Sequence, residues 1–134
     1  MAVGRAQCIA AVQQAGLGTK ARVTVIDHRL DEGDPSYNLQ WGGTPVHFCA
    51  AIPMAQMNSF YASQHVLVAP SIWPESFGLV TREALQLGLW VIASDIGALA
   101  QPIQDGVNGR KVEARNVQQL AEALQETLQT SANR

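Results

Sequence analysis

The sequence has few charged residues, and those it has are dispersed. Of its 134 residues, 9 are Lys or Arg and 11 are Asp or Glu, so that charged residues make up 15% and the net charge is −2. Soluble domains usually carry about 25% charged residues. The absence of a basic cluster argues against a nucleic-acid-binding surface and against a polybasic membrane patch. More of the exterior than usual must be neutral or apolar, which is typical of a surface that becomes covered.

Cysteine is also scarce, since Cys8 and Cys49 are the only two. They show neither the paired spacing of a zinc site nor the density of a disulfide scaffold, and we expect both to be buried free thiols. The three histidines, His28, His47 and His65, have no ligand-like spacing. The sequence therefore predicts no metal site.

Long apolar runs are missing as well. No stretch approaches the ~20 apolar residues that a membrane-spanning helix needs, and the opening residues MAVGRAQCIA lack the apolar core of a signal peptide. The sequence therefore predicts no transmembrane segment and a cytoplasmic location. Hydrophobic residues nevertheless make up 47% of the chain, which is enough for one domain with a buried core.

Short apolar runs alternate with segments of helical periodicity. This alternation predicts an α/β fold, with a Rossmann-like parallel sheet flanked by helices. The predicted strands are 22–26, 45–50, 65–69 and 89–93, of which 65–69 should be a buried parallel strand. The predicted helices are 5–15, one around 54–61, 78–87, 98–104 and one after Asn116. The turn-rich segment 31–44 is predicted to be a loop that is too polar for the core.

The richest candidate site follows the strand that ends at residue 69. In an open parallel sheet, ligands bind beyond the carboxyl ends of the strands, and residues 70–78 are predicted to lie there. Ser76 can cap the next helix, and Gly78 permits close backbone approach where that helix begins. The N–H groups of residues 77–80 would then point outward, an arrangement that binds phosphate or hydroxyl oxygens.

Two acidic residues accompany this segment. Glu83 follows Glu75 by eight positions, in an E-x7-E pattern, and lies about one turn inside the predicted helix. A carboxylate there can accept hydrogen bonds from two vicinal hydroxyls, such as those of a ribose. The spacing alone is weak support, and the alternative is that Glu83 belongs to a solvated helix face.

Residues 67–109 resemble the C-terminal, donor-binding domain of retaining glycosyltransferases of family 4 (group 1), which have the GT-B fold. In that family, an apolar strand ends in Pro-Ser and is followed by an E-x7-E motif with an internal Phe-Gly, then by Glu-Ala and a Gly. A second apolar strand ends in Ser-Asp and is followed by a Gly and by an Asn-Gly or Thr-Gly turn. The matching residues here are Pro70-Ser71, Glu75, Phe77-Gly78, Glu83-Ala84, Gly88, Ser94-Asp95, Gly97 and Asn108-Gly109. The resemblance extends more loosely over residues 5–128.

The resemblance implies an enzyme that transfers a sugar from a nucleotide-diphosphate sugar to an acceptor, with retained anomeric configuration and without a cofactor or bound metal. It implies that Glu75 is the catalytic residue and faces the hydroxyls of the donor sugar. The donor-binding residues that it implies are Ser76, Phe77, Gly78, Leu79, Val80, Glu83 and Gly97. Glu83 would bind the ribose, and backbone groups of residues 48–51 would contact the base.

The sequence departs from the family pattern at several positions. Gln101 stands where the family usually has Glu, and it keeps the hydrogen-bonding capacity but not the charge. His65 stands where Asp is common. Val3-Gly4-Arg5 is only superficially similar to the family's phosphate-binding Gly-Arg, and Lys20 comes after the first helix rather than at its start.

These departures predict that residues 1–134 form a single nucleotide-sugar-binding domain that lacks the first strand and the N-terminal acceptor domain. The missing acceptor domain is therefore an expected partner, together with the sugar donor, and we expect the isolated chain to be inactive. An alternative is a non-catalytic remnant that binds a nucleotide or another protein. The missing phosphate-binding cations and Gln101 favour this alternative, whereas the intact Glu75-to-Glu83 segment argues against it. A dinucleotide-dependent oxidoreductase is disfavoured because no G-x-G-x-x-G follows a predicted strand.

Overall fold

The structure is a computed structural model that describes residues 5–26, 30–31, 33–50, 52–69 and 79–132. Two compact units make up the chain. Unit 1 comprises residues 1–51 together with 117–134, and unit 2 comprises residues 52–116. Each has its own three-stranded sheet.

Unit 1 combines two helices with a mixed sheet. Its elements are α1 (Arg5–Ala15), a short 3-10 turn (Gly18–Lys20), β1 (Val23–Ile26), β2 (Tyr37–Trp41), β3 (Thr44–Cys49) and α5 (Val117–Ala132). The strand order is β1-β3-β2, with β1 parallel and β2 antiparallel to β3. The two helices pack against each other, and Gln125 Nε2 donates to the carbonyl oxygen of Ala15 at 3.0 Å. The predicted first helix, first strand and last helix are thus confirmed.

The core of unit 1 corrects one sequence prediction. Residues 31–44 are not a loop throughout, because 37–41 form β2 and Trp41 is only 4% exposed. Gly42 and Gly43 both have positive φ angles, 57° and 84°, which is the geometry of a two-residue turn that folds one strand back on the next. The ring of Tyr37 stacks on Phe48 at 4.6 Å, and Trp41 meets the same ring edge-on at 5.8 Å. The polar residues of β2 alternate with these aromatic ones, so the polarity of the segment belongs to one face of a strand.

Unit 2 has a parallel sheet with helices between its strands. Its elements are a short 3-10 turn (Met54–Gln56), α2 (Met57–Ala62), β4 (Val66–Ala69), α3 (Leu79–Gln86), β5 (Trp90–Ser94), α4 (Gly97–Ala100) and β6 (Gly109–Val112). Both β4 and β6 are parallel to β5, which is the middle strand. Parallel strands alternating with helices confirm the predicted α/β class.

The strands of this sheet differ in burial. Residues 91–94 of β5 are all buried, because this strand has a parallel neighbour on each side. β4 is parallel, as predicted, but the expectation that it is buried throughout was wrong. Only Ala69 is buried, and the other three residues are partly exposed, since β4 occupies one end of the strand order.

Two further boundaries differ from prediction. The helix expected over 98–104 is confined to α4, and Pro102 soon follows, which cannot donate a backbone N–H to continue a helix. The turn expected at Asn108-Gly109 is present, but Gly109 also begins β6, a strand that the sequence pattern did not predict. Asn108 holds the turn with its side chain, since its Oδ1 accepts from Gln104 N at 2.8 Å and its Nδ2 donates to Pro102 O at 3.2 Å.

The two cysteines are free thiols, as expected, but both are partly rather than fully buried. Cys8 packs beside the core of unit 1. Burial raises the pKa of both the Cys8 and the Cys49 thiol. Within the described ranges, the helices are too short or too polar to cross a bilayer.

Candidate functional site

The candidate site lies at one edge of the sheet of unit 2. Because β4, β5 and β6 are parallel, their carboxyl ends, at Ala69, Ser94 and Val112, share that edge. Helices α3 and α4 begin after β4 and β5 respectively, at Leu79 and Gly97. This is the edge at which open parallel sheets bind ligands. The predicted site residues Glu75, Ser76, Phe77 and Gly78 lie outside the described residues.

A tight turn after β5 forms one part of this edge. The N–H of Asp95 donates to the carbonyl oxygen of Val112 at 2.7 Å, which joins β5 and β6 at their ends, and the N–H of Ile96 donates to Ser94 O at 2.8 Å. Ser94 is buried, whereas Asp95 is exposed. Gly97 begins α4 with φ at 58°, a left-handed conformation that favours glycine. The turn thus requires glycine at this predicted donor-binding position and leaves the Asp95 carboxylate accessible.

Helix α3 forms the second part of the edge. Its buried face contains Thr81 and Ala84, each 0% exposed, and the helix packs against β4, β5 and α4. Leu79 and Val80 open the helix, and N–H groups in a first helical turn lie beyond the reach of the helix's own carbonyls. Leu79 and Val80, two positions of the predicted amide cradle, therefore lie in the first turn of α3.

Glu83 lies on the opposite, exposed side of α3. Its nearest described influence on another titratable group is on Tyr61 of α2. The Tyr61 side chain is only 2% exposed. Burial raises the pKa of the Tyr61 phenol, and the nearby Glu83 carboxylate raises it further. Glu83 is thus an exposed carboxylate on the second turn of α3.

The sequence alone does not connect Tyr61 with Glu83. The helical spacing of Tyr61 with Met57 and Phe60 made it one member of an apolar stripe. The influence of Glu83 on Tyr61 acts between two helices, and no local spacing predicts it.

Gln101, the departure from the family's Glu, is engaged within unit 2. Its Oε1 accepts a hydrogen bond from Arg82 Nη2 at 3.3 Å, which links the end of α4 to α3. Both side chains are exposed, so this long hydrogen bond contributes little to stability.

The remaining candidates lie in unit 1 or on the surface. His47 Nδ1 lies 2.8 Å from Asn38 Oδ1, a pair between β3 and β2. The sequence predicts that backbone groups of residues 48–51 contact the nucleotide base. Phe48 is completely buried, so a contact at this residue would have to use its backbone. Ala51 lies outside the described residues. In the described part of the chain, no three His, Cys, Asp or Glu side chains come together where they could hold a metal ion.

Comparisons with known proteins agree with the resemblance noted from the motif. The sequence profile of the glycosyl transferases group 1 matches residues 40–134. The D-inositol 3-phosphate glycosyltransferase of Corynebacterium aurimucosum is 33% identical over 89 residues, which cover 66% of this chain and 21% of that protein. The phosphatidyl-myo-inositol mannosyltransferase of Mycobacterium leprae is 38% identical over 87 residues, which cover 63% and 23% respectively. The chain thus spans about a fifth of the length of these relatives.

A solved structure shows the same fold. Sucrose-phosphate synthase from Thermosynechococcus elongatus superposes with a TM-score of 0.69 over 94% of this chain and 33% of its own, at 26% sequence identity. The profile match covers more than half of the chain, and the fold is that of a GT-B glycosyltransferase domain. The chain therefore belongs to the glycosyl transferases group 1 family.

Proposed function

We propose that this chain is the donor-binding domain of a retaining glycosyltransferase, which holds the nucleoside diphosphate of an activated sugar while the sugar passes to an acceptor. One observation carries the proposal. In a chain of the group 1 family, the exposed Glu83 stands on the helix that follows β4 and that begins at the carboxyl edge of the parallel sheet. A carboxylate so placed suits a ligand that offers two adjacent hydroxyls.

The proposed roles follow from the chemistry of each group. Glu83 accepts hydrogen bonds from the ribose hydroxyls, and the amides at the start of α3 donate to phosphate or sugar oxygens. Those donors stabilise the negative charge that develops on the departing diphosphate, a contribution that is electrostatic rather than nucleophilic. Gly97 borders the same edge of the sheet in this proposal.

Glu75, Ser76, Phe77 and Gly78 complete the proposed site. Glu75 faces the donor sugar as the catalytic residue, and the other three contribute to the cradle. The proposed partners are a nucleotide-diphosphate sugar and an acceptor-binding domain, whose acceptor is unidentified. The cytoplasmic location stays a prediction from the sequence.

Calorimetric titration of the full chain with UDP, GDP and ADP tests the proposal. We expect binding of at least one of them, and we expect Glu83→Gln to weaken it by roughly 1–3 kcal/mol, the scale of a hydrogen bond to a charged group. This corresponds to about 5-fold to 150-fold in affinity. Glu122→Gln is the matched control, because Glu122 is also exposed on a helix and has its own polar partner, Gln118.

The outcomes separate the proposal from its alternative. Equal weakening by both substitutions would return Glu83 to the solvated-face interpretation. A chain that binds none of the three nucleotides would support a non-catalytic remnant that binds another protein instead.

A further inference from the structure

We propose that Asn108 is a site of spontaneous deamidation that the folded chain protects, and that its conversion to an acid weakens the turn that leads into β6. Asn108 and Gly109 form the only Asn-Gly pair in the sequence. Because glycine has no side chain to hinder approach to its backbone nitrogen, an asparagine before glycine is chemically vulnerable wherever the backbone is free to move. The site lies within unit 2 and is independent of the proposed function.

The reaction uses only atoms of these two residues and solvent water. The backbone nitrogen of Gly109 attacks the side-chain carbonyl carbon Cγ of Asn108. Nδ2 of Asn108 leaves as ammonia, with the proton that the Gly109 nitrogen gives up, and a cyclic imide remains. Water then opens the imide at one carbonyl to give aspartate, or at the other to give isoaspartate. Ring closure therefore requires the Asn108 side chain to turn toward the Gly109 nitrogen.

Hydrogen bonds to the preceding backbone hold both polar atoms of the Asn108 side chain. Oδ1 accepts from the N–H of Gln104 at 2.8 Å, and Nδ2 donates to the carbonyl oxygen of Pro102 at 3.2 Å. The backbone N–H of Asn108 in turn donates to the carbonyl oxygen of Gln104 at 3.2 Å. The side-chain amide must break both of its own hydrogen bonds before it can turn, so ring closure has to wait until the turn opens.

Gly109, which supplies the attacking nitrogen, is also held in place. It is buried, and a Cβ atom added to it would lie 2.0 Å from the carbonyl oxygen of Val91, so its backbone packs closely against β5. Its carbonyl oxygen accepts from the N–H of Gly106 at 2.8 Å. The Gly109 nitrogen must lose its proton in the reaction, and burial disfavours the charged form of a group. The same turn and strand pairing thus protect both reacting groups.

Conversion removes contacts that the turn uses. Aspartate keeps an oxygen that can accept from Gln104 N, but it replaces the Nδ2 donor with a second oxygen. An ionised carboxylate only accepts hydrogen bonds, so this oxygen cannot bond to the carbonyl oxygen of Pro102. Isoaspartate lengthens the main chain by a methylene group at the residue whose carbonyl oxygen accepts from Val91 N at 3.3 Å. Aspartate therefore weakens the turn, and isoaspartate weakens the start of β6.

The test compares deamidation rates of the full folded chain and of a synthetic peptide of residues 102–112 in the same mildly alkaline buffer. The peptide gives the rate for a free backbone without a denaturant, and mass spectrometry of proteolytic fragments gives the rate at Asn108 in the chain. We expect the folded chain to react at least about 30-fold more slowly, the factor that corresponds to about 2 kcal/mol for two broken hydrogen bonds. The full chain in guanidinium chloride should regain the rate of the peptide in the same denaturant. Equal rates for the folded chain and the peptide, or a peptide that does not deamidate, would overturn the proposal.

The effect of the product is measured with Asn108→Asp in urea unfolding of the full chain. We expect a lower urea midpoint than for the wild type. Asn58→Asp is the matched control, because it adds the same charge at an exposed position of α2 in the same unit, and we expect no such loss. If the two substitutions lowered the midpoint equally, the added charge alone would account for the effect, and the proposed weakening of the turn would be wrong.

Hydrogen exchange of the side-chain amides in the ¹⁵N-labelled wild type needs no variant to fold. The Nδ2 protons of Asn108 are expected to exchange more slowly than those of Asn58, which is exposed, since the turn must open before the bond to Pro102 O is released. Equally fast exchange at the two side chains would show that the turn does not hold Asn108 and would contradict the protection.

Discussion

Gly109 is the position at which the structure makes its sharpest prediction about stability. It begins β6 and pairs with Val91 of β5. A Cβ atom added at Gly109 would lie 2.0 Å from the carbonyl oxygen of Val91 and 3.0 Å from its carbonyl carbon. The obstacle is backbone of the central strand, so no side-chain rotation relieves it. Gly109→Ala must therefore push β6 away from β5.

The cost has two parts. Relieving an overpacked contact typically costs about 1–3 kcal/mol. Moving the strands apart also weakens the bond from Val91 N to Asn108 O, which is already long at 3.3 Å, and each lost hydrogen bond costs about 1 kcal/mol. We expect Gly109→Ala to lower the free energy of unfolding by about 2–5 kcal/mol, a large share of the roughly 5–15 kcal/mol that stabilises a typical domain.

Urea unfolding followed by circular dichroism measures this loss, with Gly88→Ala as the matched control. Gly88 has φ at 83° and nothing within 4 Å of an added Cβ, so alanine there suffers only the conformational penalty of about 1–2 kcal/mol. If Gly109→Ala were no more destabilising than Gly88→Ala, the close approach of β6 to β5 would be refuted. The result also bears on the site, because β6 supplies the Val112 carbonyl that accepts from Asp95 N at 2.7 Å.

Three further predictions concern the helices of unit 2. Val80→Pro removes one amide donor from the first turn of α3, where proline is tolerated, and should weaken nucleotide binding by ~1.5–3 kcal/mol in calorimetry; unchanged affinity in a folded variant would exclude the amide cradle. Because the raised pKa of Tyr61 means that the folded chain holds the phenolic proton more tightly than the unfolded chain, the free energy of unfolding should fall as pH rises above about 10. Urea unfolding at a series of pH values should show a shallower fall for Tyr61→Phe, and identical slopes would contradict the shift. Gln101→Glu should turn the exposed contact with Arg82 into an ion pair and stabilise the chain by at most about 1 kcal/mol; a larger gain in urea unfolding would show that this contact is not merely a surface one.

The sequence predicts well those elements whose apolar residues follow a regular pattern, either a continuous run or a stripe along one side of a helix. Val91, Ile92 and Ala93 of β5 are all buried, so this strand appears in the sequence as a continuous apolar run that ends at Ser94. The last helix shows its buried stripe plainly, with Leu120 and Ala121 buried and Leu124 against the core of unit 1.

The sequence pattern did not predict β2 and β6, for a different reason in each case. β2 carries a readable signal, because Tyr37 and Trp41 alternate with polar residues and two glycines precede the next strand; the glycine, proline and aspartate content of residues 31–44 outweighed it. β6 is only four residues long and contains Arg110 and Lys111. It forms because it pairs with β5, and a local pattern does not record that pairing.

The candidate site likewise has parts that the sequence could predict and parts that it could not. The place of Glu83 on a helix after β4 could be predicted from motif spacing, because the motif is local. The influence of Glu83 on the Tyr61 phenol could not, because it acts between two helices that are separate in the sequence. Glu75 and its neighbours stay predictions, since they lie outside the described residues.

The most direct test of the central claim is an NMR titration of the ¹⁵N-labelled full chain with a nucleoside diphosphate. The claim is that the start of α3 and the turn before α4, together with Glu83, form one ligand-binding edge. We expect the largest amide shift changes at residues 79–83 and 95–97, with little change in α5. Changes concentrated in α5 or β2, or no change at millimolar nucleotide, would contradict it.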